Sequence, residues 1–337
     1  MNRTKRLSRK ANNIEKRPHL FDLYARNLEA VKKHPQIHIE PNIDDVFVCP
    51  LCFCYFTREE AFADGENSLV TIEHIPPEAL GGKGRTLTCR SCNSWAGHEL
   101  DSHLVHSLEV GDFLAGVQGS AVDTKLKFDD DINLIGTAQH TSDQVIELRY
   151  DPRRSDPKEL EKLSRFEENV PQSINLSFKG GRGRVFKQRR SECSLLRVAY
   201  LWAFSVFGYG FLVNSSMSVI RGQIKHPMEN VLPHWGISQR PDFPDQSLGI
   251  NIINFPRELQ SFLVVFDVYT RLRPIRFGVI LPGPNLPGLH IYEYLKANSA
   301  SNELPIRFTP IPKSRDYLEN PDSCFASSYI WKDWRDL

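Results

Sequence analysis

No run of apolar residues in this chain reaches the roughly 18 that a membrane helix needs. The charged residues 1–10 are not followed by the apolar stretch of a secretory leader. Both absences point to a cytoplasmic protein without a membrane partner. Charge of one sign is lacking too: 42 Lys and Arg face 41 Asp and Glu, a net charge of +1. No global field therefore draws a polyanion, and any affinity for nucleic acid has to come from local basic clusters. There is no internal repeat and no low-complexity tract, and the composition is that of an ordinary globular chain. Cysteine is sparse and odd in number, seven in all. Four fall in two Cys-x-x-Cys pairs, which argues against a disulfide framework and for metal binding in a reduced compartment.

Two basic clusters stand out. One is the N-terminal arm, with Arg3, Lys5, Arg6, Arg9, Lys10, Lys16 and Arg17 against a single Glu15; the other holds Lys179, Arg182, Arg184, Lys187, Arg189 and Arg190. Each reads first as a solvated tail or loop. Residues 9–33 carry a periodic apolar set (Leu20, Phe21, Leu23, Tyr24, Leu28, Val31) that predicts an amphipathic helix, ended by His34-Pro35. A short strand over 46–48 delivers Cys49, a knuckle and a turn of helix fill 53–63, and a loop follows around Asp64-Gly65-Glu66-Asn67. Residues 69–72 read as a strand that Pro76-Pro77 forbids from continuing. Residues 81–84 read as a mobile glycine loop and 86–88 as a short returning strand. Ser91 is a plausible N-cap for a helix to about Val110. Strands over 125–128 and 145–150 and a charged helix over 157–166 come next. Residues 193–207 form an apolar helix, buried almost all round, ending near Gly208, and 217–225 a second helix. The last third reads as short strands over 249–254, 262–270, 276–281 and 306–310, the middle two joined as a hairpin. The tail Trp331-Lys-Asp-Trp334 is expected to dock on the body of the protein.

The chemistry concentrates between residues 49 and 98. Two Cys-x-x-Cys knuckles a few dozen residues apart match a tetrahedral four-cysteine zinc site, giving Cys49, Cys52, Cys89 and Cys92 as ligands. Cys54 offers a rival Cys-x-Cys spacing but the two-residue spacing is the commoner clamp; Cys54, Cys193 and Cys324 are then ordinary residues. A closed four-cysteine site has no open position, so this Zn2+ is structural. Between the clamps, Glu73 and His74 put a carboxylate and an imidazole side by side at a strand end, and Asn93 follows the fourth cysteine. A hard cation such as Mg2+ takes oxygen ligands, which Glu73 and Asn93 supply. A neutral His74 can take a proton from an attacking water. Those parts are what phosphodiester hydrolysis requires. Arg85, Arg90 and Lys83 flank them as candidate phosphate clamps, and the basic clusters then become plausible backbone contacts.

The order of these motifs (Cys-x-x-Cys, Glu73-His74-Ile-Pro-Pro, Gly81-Gly82, Cys-x-x-Cys-Asn93) resembles the HNH endonuclease family in its four-cysteine variant. The resemblance covers residues 49–101. It implies an α+β protein with a zinc-stapled ββα-metal core and a larger mixed α/β C-terminal domain. The expected domains are a basic arm and helix over 1–40, the nuclease over 41–115 and a domain of unassigned role over 120–337. It further implies hydrolysis of DNA with Mg2+ or Mn2+, His74 as general base, and Glu73 and Asn93 as metal ligands. A homo-oligomer or a defence-system partner protein, in bacterial antiviral defence, follows by analogy only. The sequence departs from the family pattern twice. No Asn occupies the second strand near Arg85, and Gly97 stands one helical turn after Asn93. His98, about 140° around an ideal helix from Asn93, is a poorly placed third ligand, and Asp101 is an alternative outer group. The rival reading is a zinc-dependent nucleic-acid or protein binding module without catalysis.

Overall fold

The computed structural model describes residues 3–34, 37–63, 68–128, 131–142, 145–168, 176–180, 187–213, 215–240, 242–283, 287–299, 304–311 and 317–318. The expected loop over 64–67, Cys324 and the Trp331 to Trp334 tail lie outside them.

The chain opens with α1 (Arg3–Lys32), which carries Pro18 inside it. Its expected apolar set is buried, Phe21, Tyr24 and Val31 completely. Strands β1 (Val46–Val48) and β2 (Tyr55–Thr57) pair antiparallel across the first knuckle. Helix α2 (Arg58–Phe62) follows, started by a capping box between Thr57 and Glu60. The central hairpin is β3 (Val70–Ile75) and β4 (Lys83–Cys89). Both strands are longer than the sequence suggests, and the glycine stretch between them is not a mobile loop. Gly81 ends a 3-10 turn (Glu78–Leu80) in the left-handed region at φ 81°, and a Cβ on Gly82 would run into the Pro76 carbonyl. Backbone proximity, not freedom, is what these glycines supply.

Helix α3 (Arg90–Ala96) continues through a π turn (Gly97–Asp101) into α4 (Ser102–Leu114). Its N-cap is Cys89, whose Sγ accepts from the Cys92 amide at 3.4 Å, and not Ser91. Strands β5 (Ala121–Phe128), β6 (Ile132–Ser142), β7 (Val145–Tyr150) and β8 (Leu176–Gly180) form a sheet in the order β7-β6-β5-β8, with α5 (Pro157–Glu168) between β7 and β8 in sequence. Then come α6 (Gln188–Phe207), α7 (Tyr209–Leu212) and α8 (Met217–Lys225). The remainder adds β9 (Ile237–Gln239), β10 (Gly249–Phe255), β11 (Ser261–Tyr269), β12 (Pro274–Pro282), α9 (His290–Ala297) and β13 (Arg307–Pro310). These strands make an antiparallel sheet ordered β13-β10-β11-β12-β9. With separate antiparallel sheets and helices, the class is α+β.

One hydrophobic core runs from α1 through the knuckles, the β3–β4 hairpin and α6 to the β10–β12 strands. The β5–β8 sheet has a small core of its own around Leu126, Ile132, Leu134 and Leu163. At the centre, Tyr24 stacks on Phe204 at 4.7 Å and meets Phe47 and Tyr209 edge-on. Such pairs add about 0.5–1.5 kcal/mol each beyond their buried area. No helix among the described residues is long and apolar enough to cross a membrane.

Candidate metal centre and active site

The first knuckle is closed by two backbone bonds, Phe53 N to Cys49 O at 2.9 Å and Cys49 N to Cys54 O at 3.0 Å. Phe53 takes a positive φ of 62° to allow the reversal. Helices α6 and α8 hold this loop from behind. Tyr200 donates to Pro50 O at 2.8 Å, and the Arg221 guanidinium covers the Phe53 ring at 4.2 Å. The second knuckle spans the junction of β4 and α3. Together they bring the Sγ atoms of Cys49, Cys52, Cys89 and Cys92 within 4.8 Å of one another. Tetrahedral thiolates at about 2.3 Å from zinc lie about 3.8 Å apart; Cys52 and Cys89 are at 3.7 Å. The donor set fits Zn2+. Cys54 is exposed and outside the cluster, and Cys193 is buried in α6.

The hairpin has a bulge between Glu73 and His74: Glu73 pairs with Thr86 and His74 with Gly84, leaving Arg85 as the extra residue. Bulges re-aim neighbouring side chains. Glu73 reaches Thr88, whose hydroxyl donates to it at 2.9 Å. His74 shares the other side with Ile72, beside Gly84, where a Cβ would lie 3.9 Å from its Nε2. The acid and the imidazole thus diverge. His74 is half-buried and makes no hydrogen bond among the described residues. Its strand end is held by Ile75-Pro76 and by Gly84, where any larger residue would strike Ile72.

Glu73 is not open to solvent. It is 2% exposed, with one oxygen taken by Thr88 and the other 3.0 Å from Arg197 Nη1. Arg197, itself 1% exposed, also donates through Nη2 to both oxygens of Asp101 at 2.8 and 2.6 Å, and Ser194 donates to Asp101 at 2.7 Å. Burial alone would depress the Arg197 guanidinium, but Asp101 and Glu73 outweigh it and hold its pKa above the ordinary value. Asp101 is therefore a partly buried partner of α6, tied to Arg197 and Ser194. Sequence reasoning missed Arg197, which sits in a helix read as apolar all round; its only signal was a lone charge at a buried position.

Asn93 donates from Nδ2 to Thr71 Oγ1 at 2.9 Å, and no donor among the described residues reaches its Oδ1. His98 is exposed in the π turn. A hard divalent cation could use those two groups, but Glu73 as placed does not fit one. Both its oxygens are engaged, and a guanidinium stands where the ion's charge would be.

The three expected phosphate clamps separate. The Arg85 guanidinium lies over the Trp202 ring, 4.3 Å from its centroid, and partial desolvation there lowers its pKa. Lys83 is exposed two residues away. Arg90 sits at the far end of β4, roughly 20 Å from Gly84 at about 3.4 Å per residue, and binds the Ser68 carbonyl at 2.7 Å. It does not flank His74. Three described members of the basic clusters are internal ties, Arg17 donating to Ser68 at 2.7 Å, Arg189 to Met228 O at 2.9 Å and Arg190 pairing with Glu99, while Lys16 and Lys187 are exposed. The side chains of Arg3 to Lys10, Lys179, Arg182 and Arg184 lie outside the described set.

No curated protein and no solved structure matches this chain. Residues 54–109, 56 of 337, match the family model of HNH endonuclease. The match begins just past the first knuckle, so Cys49 and Cys52 join it by geometry alone. With an antiparallel hairpin, a following helix and four convergent cysteines, this segment is an HNH endonuclease domain of the zinc-stapled variant.

Proposed function

We propose that the chain is an endonuclease that hydrolyses phosphodiester bonds in nucleic acid, DNA foremost, with His74 as general base. The observation that carries this reading is His74 itself. In an HNH domain, an imidazole at the bulged strand end has no hydrogen-bond partner among the described residues and has Arg85 one bulge position away. A neutral imidazole there takes the proton of a water as the water oxygen bonds to phosphorus and one ester P–O bond breaks. The guanidinium of Arg85 and the ammonium of Lys83 hold the non-bridging oxygens. HNH nucleases use divalent metals. In this chain Asn93 Oδ1 and His98 are the donors left open for Mg2+ or Mn2+, and Glu73 would join them only on releasing Arg197.

The rival reading, a zinc-dependent binding module without catalysis, has one observation in its favour: Glu73 is fully engaged by Arg197 and Thr88. Digestion of supercoiled plasmid, linear duplex, single-stranded DNA and RNA, with Mg2+ or Mn2+ and with EDTA, separates the two. Wild type should cut in a metal-dependent way, and His74→Ala should lose roughly 10²–10⁴-fold in rate with nucleic-acid binding retained. Absence of cleavage by wild type on all four substrates would leave the binding module.

A further inference from the structure

Beside His74 the hairpin faces the C-terminal sheet across a cleft of about 790 Å³. Ile75, Lys83 and Arg85 line it from the hairpin, Leu248 and Tyr269 from the sheet, and Trp202 from α6. Neither the zinc cluster nor the proton transfer by His74 accounts for it.

Its charge is unbalanced. Arg85 makes no ion pair among the described residues, and Asp267, the acid on the wall, is bound by Arg276 at 2.7 and 3.0 Å. Arg85 and Lys83 are left to meet an anion. The guanidinium is also immobilised. It rests on Trp202, which stacks in turn on Phe266 at 6.2 Å, so little side-chain freedom remains to be lost on binding.

The rest of the wall is mixed, with Ser205, Gln246 and Asp267 set among Val206, Leu248 and Ile311. Leu248 and Ile250 face Ile75, and the Tyr269 ring, 51% exposed, stands at the rim. A free phosphate would leave these surfaces wet, whereas a flat apolar ring attached to a phosphate covers both kinds of wall. The volume lies within the roughly 300–1,000 Å³ that encloses one small-molecule-sized ligand. A base lodged against this wall is out of its duplex stack, which costs least in a substrate that is already single-stranded. The cleft opens on the hairpin face of Ile75, Lys83 and Arg85, around the strand end from the His74 imidazole, which lies on the face of Ile72 and Gly84.

We propose that this cleft receives one unpaired nucleotide of the bound strand, its phosphate on Arg85 and Lys83 and its base against Tyr269 and the neighbouring aliphatic side chains, so that the substrate is single-stranded nucleic acid. The proposal rests on the nuclease reading for the class of polymer bound.

The test uses the full-length His74→Ala protein without added divalent metal, titrated with a labelled ten-residue oligothymidylate and with a ten-base-pair duplex, followed by anisotropy. The single strand should bind at least tenfold more tightly than the duplex. Arg85→Ala and Tyr269→Ala should each weaken it about 5–100-fold, as loss of a stacking or phosphate contact does; Tyr269, at an exposed rim, keeps the test independent of folding defects. Equal binding of both ligands, or single-strand binding unchanged in both variants, overturns the proposal. If wild type cuts duplex plasmid and Arg85→Ala cuts it equally well, the nuclease stands and the nucleotide cleft falls. If wild type cuts nothing but the binding pattern holds, the cleft stands and the nuclease reading falls.

Discussion

Arg197 is the largest side chain fully buried among the described residues, and it holds two carboxylates that the sequence places in different roles. Glu73 reads from its neighbour His74 as a metal ligand, because adjacent acid and imidazole are visible in a linear text. A guanidinium arriving from a helix far along the chain is not. Removing one member of a buried ionic group leaves the others uncompensated, a penalty on the order of 3–5 kcal/mol. Arg197→Met should therefore lower the urea midpoint of unfolding by that equivalent, and adding Glu73→Gln should return part of it. A single variant that unfolds at the wild-type midpoint would show that the triad contributes nothing net. His74, by contrast, was legible as a strand-end imidazole, since two prolines must stop the strand just beyond it.

At the level of elements, cysteine spacing was the most informative signal. A Cys-x-x-Cys pair dictates its own backbone loop, so β1 and the start of α3 were placed closely. The helix cap was misassigned because a cysteine sulfur accepts the amide bond usually made by a serine hydroxyl. Strand β6 was missed where polar residues interleave its apolar ones, and β4 was underestimated because glycine and charge dominate its first three positions. The knuckle geometry gives a sharp expectation. Mass spectrometry under native conditions should find one zinc per chain. Cys54→Ser should retain it with an unchanged melting temperature. Cys52→Ser should lose it and unfold the hairpin–helix junction, since a structural zinc contributes on the order of 10 kcal/mol. Zinc lost from the Cys54 variant and kept in the Cys52 variant would reverse the ligand assignment.

Across the whole molecule, the boundary near residue 115 separates motifs but not cores. Tyr209 of α7 hydrogen-bonds both the amide and the carbonyl of Val48 at 2.8 Å, and Asn27 of α1 accepts from the Tyr209 amide at 2.8 Å. Residues 41–115 alone would expose the apolar faces that α1 and α6 cover. We expect that fragment, even with zinc, to show no cooperative thermal transition by circular dichroism, while the full chain unfolds with one dominant transition. A cooperative melt of the fragment would establish it as an autonomous domain. The β5–β8 sheet, with its small core, should exchange its amides faster than β10–β12. Long-range dependence of this kind leaves no local mark in composition.

The cleft joins residues made at very different times. Arg85 leaves the ribosome 165 residues before Ile250, and at about 5–20 residues per second the second wall arrives some ~8–33 s after the first. A nascent chain that has completed its hairpin and both knuckles still lacks Leu248, Ile250 and Tyr269, and α6 has yet to bring Trp202 under Arg85. The two walls of the cleft meet only after that interval.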